Sequence, residues 1–136
     1  GHGWTYSAHP ICAAAGVANL KLIDDLYLIE NAKDVGAYLN ASMKDALGDH
    51  LNVGDVRGEG LLCAVEFVQD KATTKFFDPS RKIGPMVSAA MLERGVIARA
   101  MPQGDIIGFA PPFCITKAEV DTVVGATVEA VKTVLG

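Results

Sequence analysis

The sequence predicts an α+β fold, a small and largely antiparallel sheet covered by helices, and three observations predict it. Apolar residues recur at helical spacing near both ends of the chain. Short apolar runs bounded by glycine and proline fill the middle. The resulting order of helix, helix, strand, strand, helix, strand, strand, helix lacks the regular alternation that builds a parallel sheet. With 136 residues, half of them apolar and 21% charged, the chain has material for one core and not the composition of a disordered segment.

Glycine, histidine and aromatic residues dominate 1–9, which reads as a loop, and Pro10 then suits the first turn of a helix. Ile11, Ala15, Ala18 and Leu22 repeat at helical spacing, with Ala14 beside them, and the small run Ala13-Ala14-Ala15-Gly16 allows close approach to another backbone. Asp24-Asp25 marks a break. The stripe Leu28, Ala32, Val35, Leu39, Met43 and Ala46 then carries helix as far as Gly48, as a second helix or as the far arm of a kinked one. Val53 to Gly60 is a short glycine-rich strand ending in a tight turn, and Leu61 to Val68 is an apolar strand with Leu61, Cys63, Val65 and Phe67 on one face. Polar 70–81, with Pro79, reads as loop. Ile83, Val87, Ala90 and Met91 make a short helix that Gly95 ends. Val96–Met101 and Asp105–Ala110 are strands joined through Pro102-Gln103-Gly104. Thr116 and Glu119 form a capping box ahead of a last helix on Val120, Val123, Val124, Val128, Val131 and Leu135. The chain thus divides into 1–48, loop and long helices bridging from a domain outside this sequence, and 49–136, a small α+β domain.

Composition narrows the function. Sixteen acids against twelve bases leave a net charge of −4, the wrong sign for a nucleic-acid binder. No apolar run approaches the roughly 18 residues of a membrane helix, and no secretion-type leader is visible, so a cytoplasmic protein is expected. Cys12, Cys63 and Cys114 are odd in number and lack a CxxC pair, so they read as buried free thiols rather than zinc ligands or disulfides. The chain opens without methionine, which reads as processing or as a fragment of something longer.

Several constellations have two readings. Thr5-Tyr6-Ser7 ahead of a helix start offers the hydroxyls and free N–H groups a phosphate needs, but ordinary capping by Ser7 or its neighbours explains the same residues. His2 and His9 make a weak metal pattern, and a histidine at a helix start is the plainer reading. Gly58-Glu59-Gly60 precedes a strand rather than a helix and reads as a turn, not a phosphate loop. Asn40-Ala41-Ser42 matches a glycosylation sequon only by chance, being mid-helix. Arg99 stands among Val96, Ile97, Ala98, Ala100 and Met101, with the parity of Ile97 and Met101. Either a carboxylate partners its five-donor fork, or the strand is an edge and the arginine reaches water.

Three segments, in order, resemble the C-terminal part of class III aminotransferases, closest to ω-transaminases of the amine–pyruvate type. They are Gly3-Trp4-Thr5-Tyr6-Ser7-Ala8-His9-Pro10 with its alanine-rich helix, then Asp55-Val56-Arg57-Gly58-Glu59-Gly60-Leu61, then Arg99 to Gly104 with Ala110-Pro111-Pro112 and Ile115-Thr116-Lys117-Ala118-Glu119-Val120. The resemblance covers essentially the whole chain. It implies the C-terminal domain of a fold-type I transferase using pyridoxal 5′-phosphate, preceded by a long bridging helix. It further implies a homodimer whose active site is shared between subunits, and an amino group passed from an amine or ω-amino acid to a keto acid such as pyruvate. By the same resemblance, Thr5 and the backbone of Trp4 hold the cofactor phosphate of the neighbouring subunit, and Arg99 binds the substrate carboxylate. The family's Schiff-base lysine and large domain fall outside the sequence, and none of the eight lysines present, from Lys21 to Lys132, has that lysine's context. The segment alone is therefore expected to be inactive and to contain no catalytic residue. Ala8 stands where many relatives have glycine. Other class III chemistry, an aminomutase or decarboxylase, and a non-catalytic module derived from this domain are the alternatives.

Overall fold

A computed structural model describes residues 3–5 and 7–136. The elements are α1 (Pro10–Asp25), α2 (Leu28–Leu47), β1 (Val53–Glu59), β2 (Leu62–Phe67), a 3-10 turn (Pro79–Arg81), α3 (Ile83–Leu92), β3 (Arg99–Ala100), β4 (Ile106–Phe109) and α4 (Lys117–Leu135). The first two helices are separate. Tyr27 adopts a left-handed φ of 51° between them, which no continuous right-handed helix tolerates.

The four strands are all antiparallel in the order β1-β2-β4-β3. Alternation sends Cys63, Val65 and Phe67 of β2, with Ile107 and Phe109 of β4, into the core. Helix α2 lies against β1 and β2, α3 lies against β3 and β4, and α4 packs on both helices. From α2 the core receives Val35, Leu39, Met43 and Leu47; Leu47 ends the buried stripe, whereas the expected Ala46 is exposed. The capping box opens α4, with Thr116 accepting from the Glu119 amide and Glu119 accepting from the Thr116 amide. Its fully buried positions include Thr127 and Ala130 beside Val120 and Val131, while Val123, Val124, Val128 and Leu135 are half-buried.

Two expectations are corrected. Helix α1 buries none of its residues, so Ile11, Ala15, Ala18 and Leu22 face outward and Cys12 with them. Cys114 is also exposed, leaving Cys63 as the one buried thiol, its pKa pushed up to about 11 by burial. The strand expected over Val96–Met101 shrinks to Arg99–Ala100, because the register with β4 covers only Arg99 opposite Gly108 and Ala100 opposite Ile107. Ile97 is 90% exposed. Among the described residues, no helix is long and apolar enough to cross a membrane.

Helix α2 and the β1–β2 turn meet at a glycine crossing. A Cβ on Gly36 would stand 2.2 Å from the carbonyl carbon of Gly60, so side chains are excluded there. The Asn40 amide locks the crossing, donating to the carbonyls of Gly36 and Gly60 at 2.9 Å each.

Candidate functional site

The sheet register builds one transverse row. Arg57 pairs with Ala64, Ala64 with Gly108, and Gly108 with Arg99. Directly paired residues share a face, so two arginines on the edge strands flank two small residues on the face away from the core. A broad open hollow of about 1370 Å³ takes in all four residues of this row and reaches Cys63 and Phe109 and, on α4, Glu119 and Val123. Its lining is mostly apolar, with Arg57, Glu59, Arg99 and Glu119 as its charged groups.

The two arginines differ in what they meet. Arg57 Nη1 donates to Glu66 Oε2 at 2.6 Å and to Asp55 Oδ2 at 3.0 Å. Those bonds, Glu66 first and Asp55 second, hold its pKa above the usual guanidinium value. Arg99 is exposed, and Ile97 and Met101 on its parity are exposed too, so the edge-strand reading of this arginine describes the geometry. Among the described residues, Arg99 is the one arginine without a partner. Arg81 lies over the Phe77 ring at 4.7 Å, and Arg94 donates to the Ala90 carbonyl and to Thr133. A hairpin carries Arg99, closed by the Met101 amide donating to the Ile106 carbonyl at 2.9 Å, with Gly104 at a φ of 70°. Gly108 lacks a side chain beneath it, and the Met101 sulfur lies 3.2 Å from where a Cβ would be.

The N-terminal motif forms a tight turn. Ser7 donates to the Trp4 carbonyl through its amide and its hydroxyl, both at 3.0 Å, which leaves Thr5 exposed at the corner. The hydroxyl of Ser7 donates inside the turn, and the N-cap of α1 is closed by no side-chain bond, from Ser7 or a neighbour. His9 holds the N-cap position of α1 without a side-chain cap bond, and no acid lies in the first helical turn. A helix start with no side-chain cap bond among the described residues, a nearby hydroxyl and no acid in its first turn suits an anion. Trp4 is exposed beside Thr5. Tyr6 and His2 lie outside the described residues. Among the described residues no group of His, Cys, Asp or Glu is arranged to hold a metal. The turn and the hollow are distinct places, since neither Thr5 nor Trp4 lines the hollow that Arg99 lines.

Sequence reasoning met Asn40 only as part of a chance sequon and passed over Glu66. Asn40 was legible as a polar residue beside the buried Leu39 and between glycine-linked elements. Glu66 was legible as the one acid inside an apolar strand, where alternation places it on the outer face.

The family profile described as aminotransferase class-III matches residues 1–131. A diaminobutyrate–2-oxoglutarate transaminase from Halomonas elongata is 55% identical over 134 residues, 98% of this chain and 29% of that protein. A solved transaminase from directed evolution by ancestral reconstruction superposes with a TM-score of 0.95 at 60% identity, over 98% of this chain and 29% of that one. An (S)-enantioselective ω-transaminase from Thermomicrobium roseum superposes with a TM-score of 0.92 at 42% identity, over 99% of this chain and 30% of that one. The chain thus spans less than a third of the length of each of these proteins.

Proposed function

The chain belongs to the class-III aminotransferases, and from that premise we propose that it forms the C-terminal part of a pyridoxal-phosphate enzyme moving an amino group from an amine or ω-amino acid to a keto acid. Residues 1–48 bridge to the large domain, and 49–136 form the small domain. The enzyme is a cytoplasmic homodimer, and three free cysteines suit that compartment. When bound, the cofactor supplies an electron sink that makes exchange of the amino group feasible. The residues present fit its phosphate: the exposed Thr5 hydroxyl and the backbone around Trp4 stand ahead of an acid-free helix start. In the dimer they hold the phosphate bound by the partner subunit.

The observation that carries the substrate assignment is Arg99. It lines the hollow and is, among the described residues, the arginine left unpaired, whereas Arg57 is neutralised by Asp55 and Glu66. A planar guanidinium orients a carboxylate through two parallel hydrogen bonds, which suits a keto acid and gives nothing to an apolar amine. The test uses the complete enzyme and follows each half-reaction separately. A charge-assisted pair is worth about 1.5–3 kcal/mol, so Arg99→Ala should lower kcat/KM for pyruvate by about ten- to a few-hundredfold. An amine without a carboxylate should react as before, and Arg99→Lys should restore only part of the loss. Equal losses in the two half-reactions would make Arg99 structural and overturn the assignment.

A further inference from the structure

The hairpin that carries Arg99 is tied to α3 on both sides of the arginine. Before it, Ser88 Oγ donates to the Ala98 carbonyl at 2.7 Å. After it, Asp105 Oδ1 accepts from the Gly84 amide at 2.9 Å. Gly84 and Ser88 are four residues apart, so both project from one face of α3, one turn apart. The approach is close, because a Cβ on Gly84 would lie 3.4 Å from the Asp105 Cα. The Asp105 bond also serves the helix. Gly84 lies in the first turn of α3, where amides lack an intrahelical partner, and Lys82 at the N-cap provides no side-chain bond.

Between these two anchors lie residues 99–104. Only Arg99 and Ala100 pair as strand, and Pro102, Gln103 and Gly104 are exposed. A two-residue strand at a sheet edge has little ladder of its own to fix its direction. The ties to α3 supply what the ladder lacks.

We infer that Ser88 and Asp105 are positioning residues for Arg99: by holding Ala98 and Asp105 against one face of α3, they set where the Arg99 fork points in the hollow. This inference rests on the reading of Arg99 as the carboxylate-binding residue. Pairing in a binding site depends on position at the ångström level, so loosening either anchor weakens carboxylate capture without touching the cofactor.

The test measures, on the complete enzyme, the KM for pyruvate and the rate with a carboxylate-free amine in the same preparation. The KM does not depend on the fraction of active protein, and the amine rate reports that fraction. Losing one hydrogen bond that positions the site should raise the pyruvate KM about three- to tenfold in Ser88→Ala and in Asp105→Ala, with the amine half-reaction unchanged. Ser88→Thr, which keeps the hydroxyl, should restore the KM, and Asp105→Asn, which keeps an acceptor, should restore it in part. In an Arg99→Ala background, Ser88→Ala should add nothing, because the residue it positions is gone. The same added factor in that background, or equal losses in the two half-reactions, overturns the inference. If Arg99→Ala itself leaves pyruvate untouched, the carboxylate reading fails first; if it weakens pyruvate and both anchor variants do not, the positioning role alone fails.

Discussion

Gly36 and Ala8 set opposite demands on a single carbon atom. At Gly36 a Cβ would meet the Gly60 backbone at 2.2 Å, and backbone on both sides cannot yield. Gly36→Ala should therefore destabilise the fold by about 3 kcal/mol, seen as a lower denaturant midpoint at unchanged slope. Ala8 instead carries its Cβ at a φ of 61°. Relief of about 1–2 kcal/mol of left-handed strain on Ala8→Gly exceeds the entropy that glycine adds to the unfolded chain, about 0.5–1 kcal/mol, so that variant should be neutral or slightly more stable. His50 makes the same scale pH-sensitive. Its Nδ1 accepts from the Asn52 amide at 3.1 Å, and burial first, then the nearby Lys71, lower its pKa below the usual 6.5. A depressed histidine means the unfolded chain binds the proton more readily. Stability is thus fully present above about pH 6.5 and is lost as pH falls through the lower folded value. Urea titrations across that window should show the loss in the native chain and a flatter profile in His50→Gln. Residue identity announced Cys63 correctly and Cys12 wrongly, because apolar neighbours in sequence say nothing about which face of a helix finds a partner.

Helices were more legible than strands, for reasons visible at Thr116 and Arg99. The motif Thr116 to Glu119 is local and satisfies its own donors, so it reads directly from sequence. Thr116→Ala should lower stability by about 1 kcal/mol, checked by thermal unfolding. The Glu119 carboxylate is held below its usual pKa by the Thr116 amide and then the Thr116 hydroxyl. A depressed carboxylate contributes above its unfolded value and loses that contribution as pH falls through the folded one, so the difference between Thr116→Ala and the native chain should shrink in acid. Strand β3 was overextended because a strand's length depends on what lies opposite: β4 pairs in register with Arg99 and Ala100, and beyond them a single bond from Met101 to Ile106 closes the hairpin. Burial of Thr127 was hidden for a related reason: its hydroxyl donates to the Val123 carbonyl at 2.7 Å, so a polar residue enters the core already satisfied.

At the scale of the molecule, the core and the candidate site differ in how far sequence reaches. Periodicity located the strands and helices that enclose the core, since each apolar stripe has its counterpart within these residues. For α1 the period was right, yet none of its residues is buried, and among the described residues its main packing is against α2. Helices near this length are marginal in water without tertiary support. In the free chain, the amides of 11–25 should therefore exchange hydrogen far faster than those of α2 and α4, and protection of α1 should appear when the proposed large domain is present. The three thiols lie across these same layers and turn them into a chemical clock. Maleimide added to the folded chain should be consumed at once by Cys12 and Cys114, and by Cys63 only at the rate of global opening. Slowing of the Cys12 reaction in the complete enzyme would then time the docking of its helix, one labelled sulfur standing in for an interface.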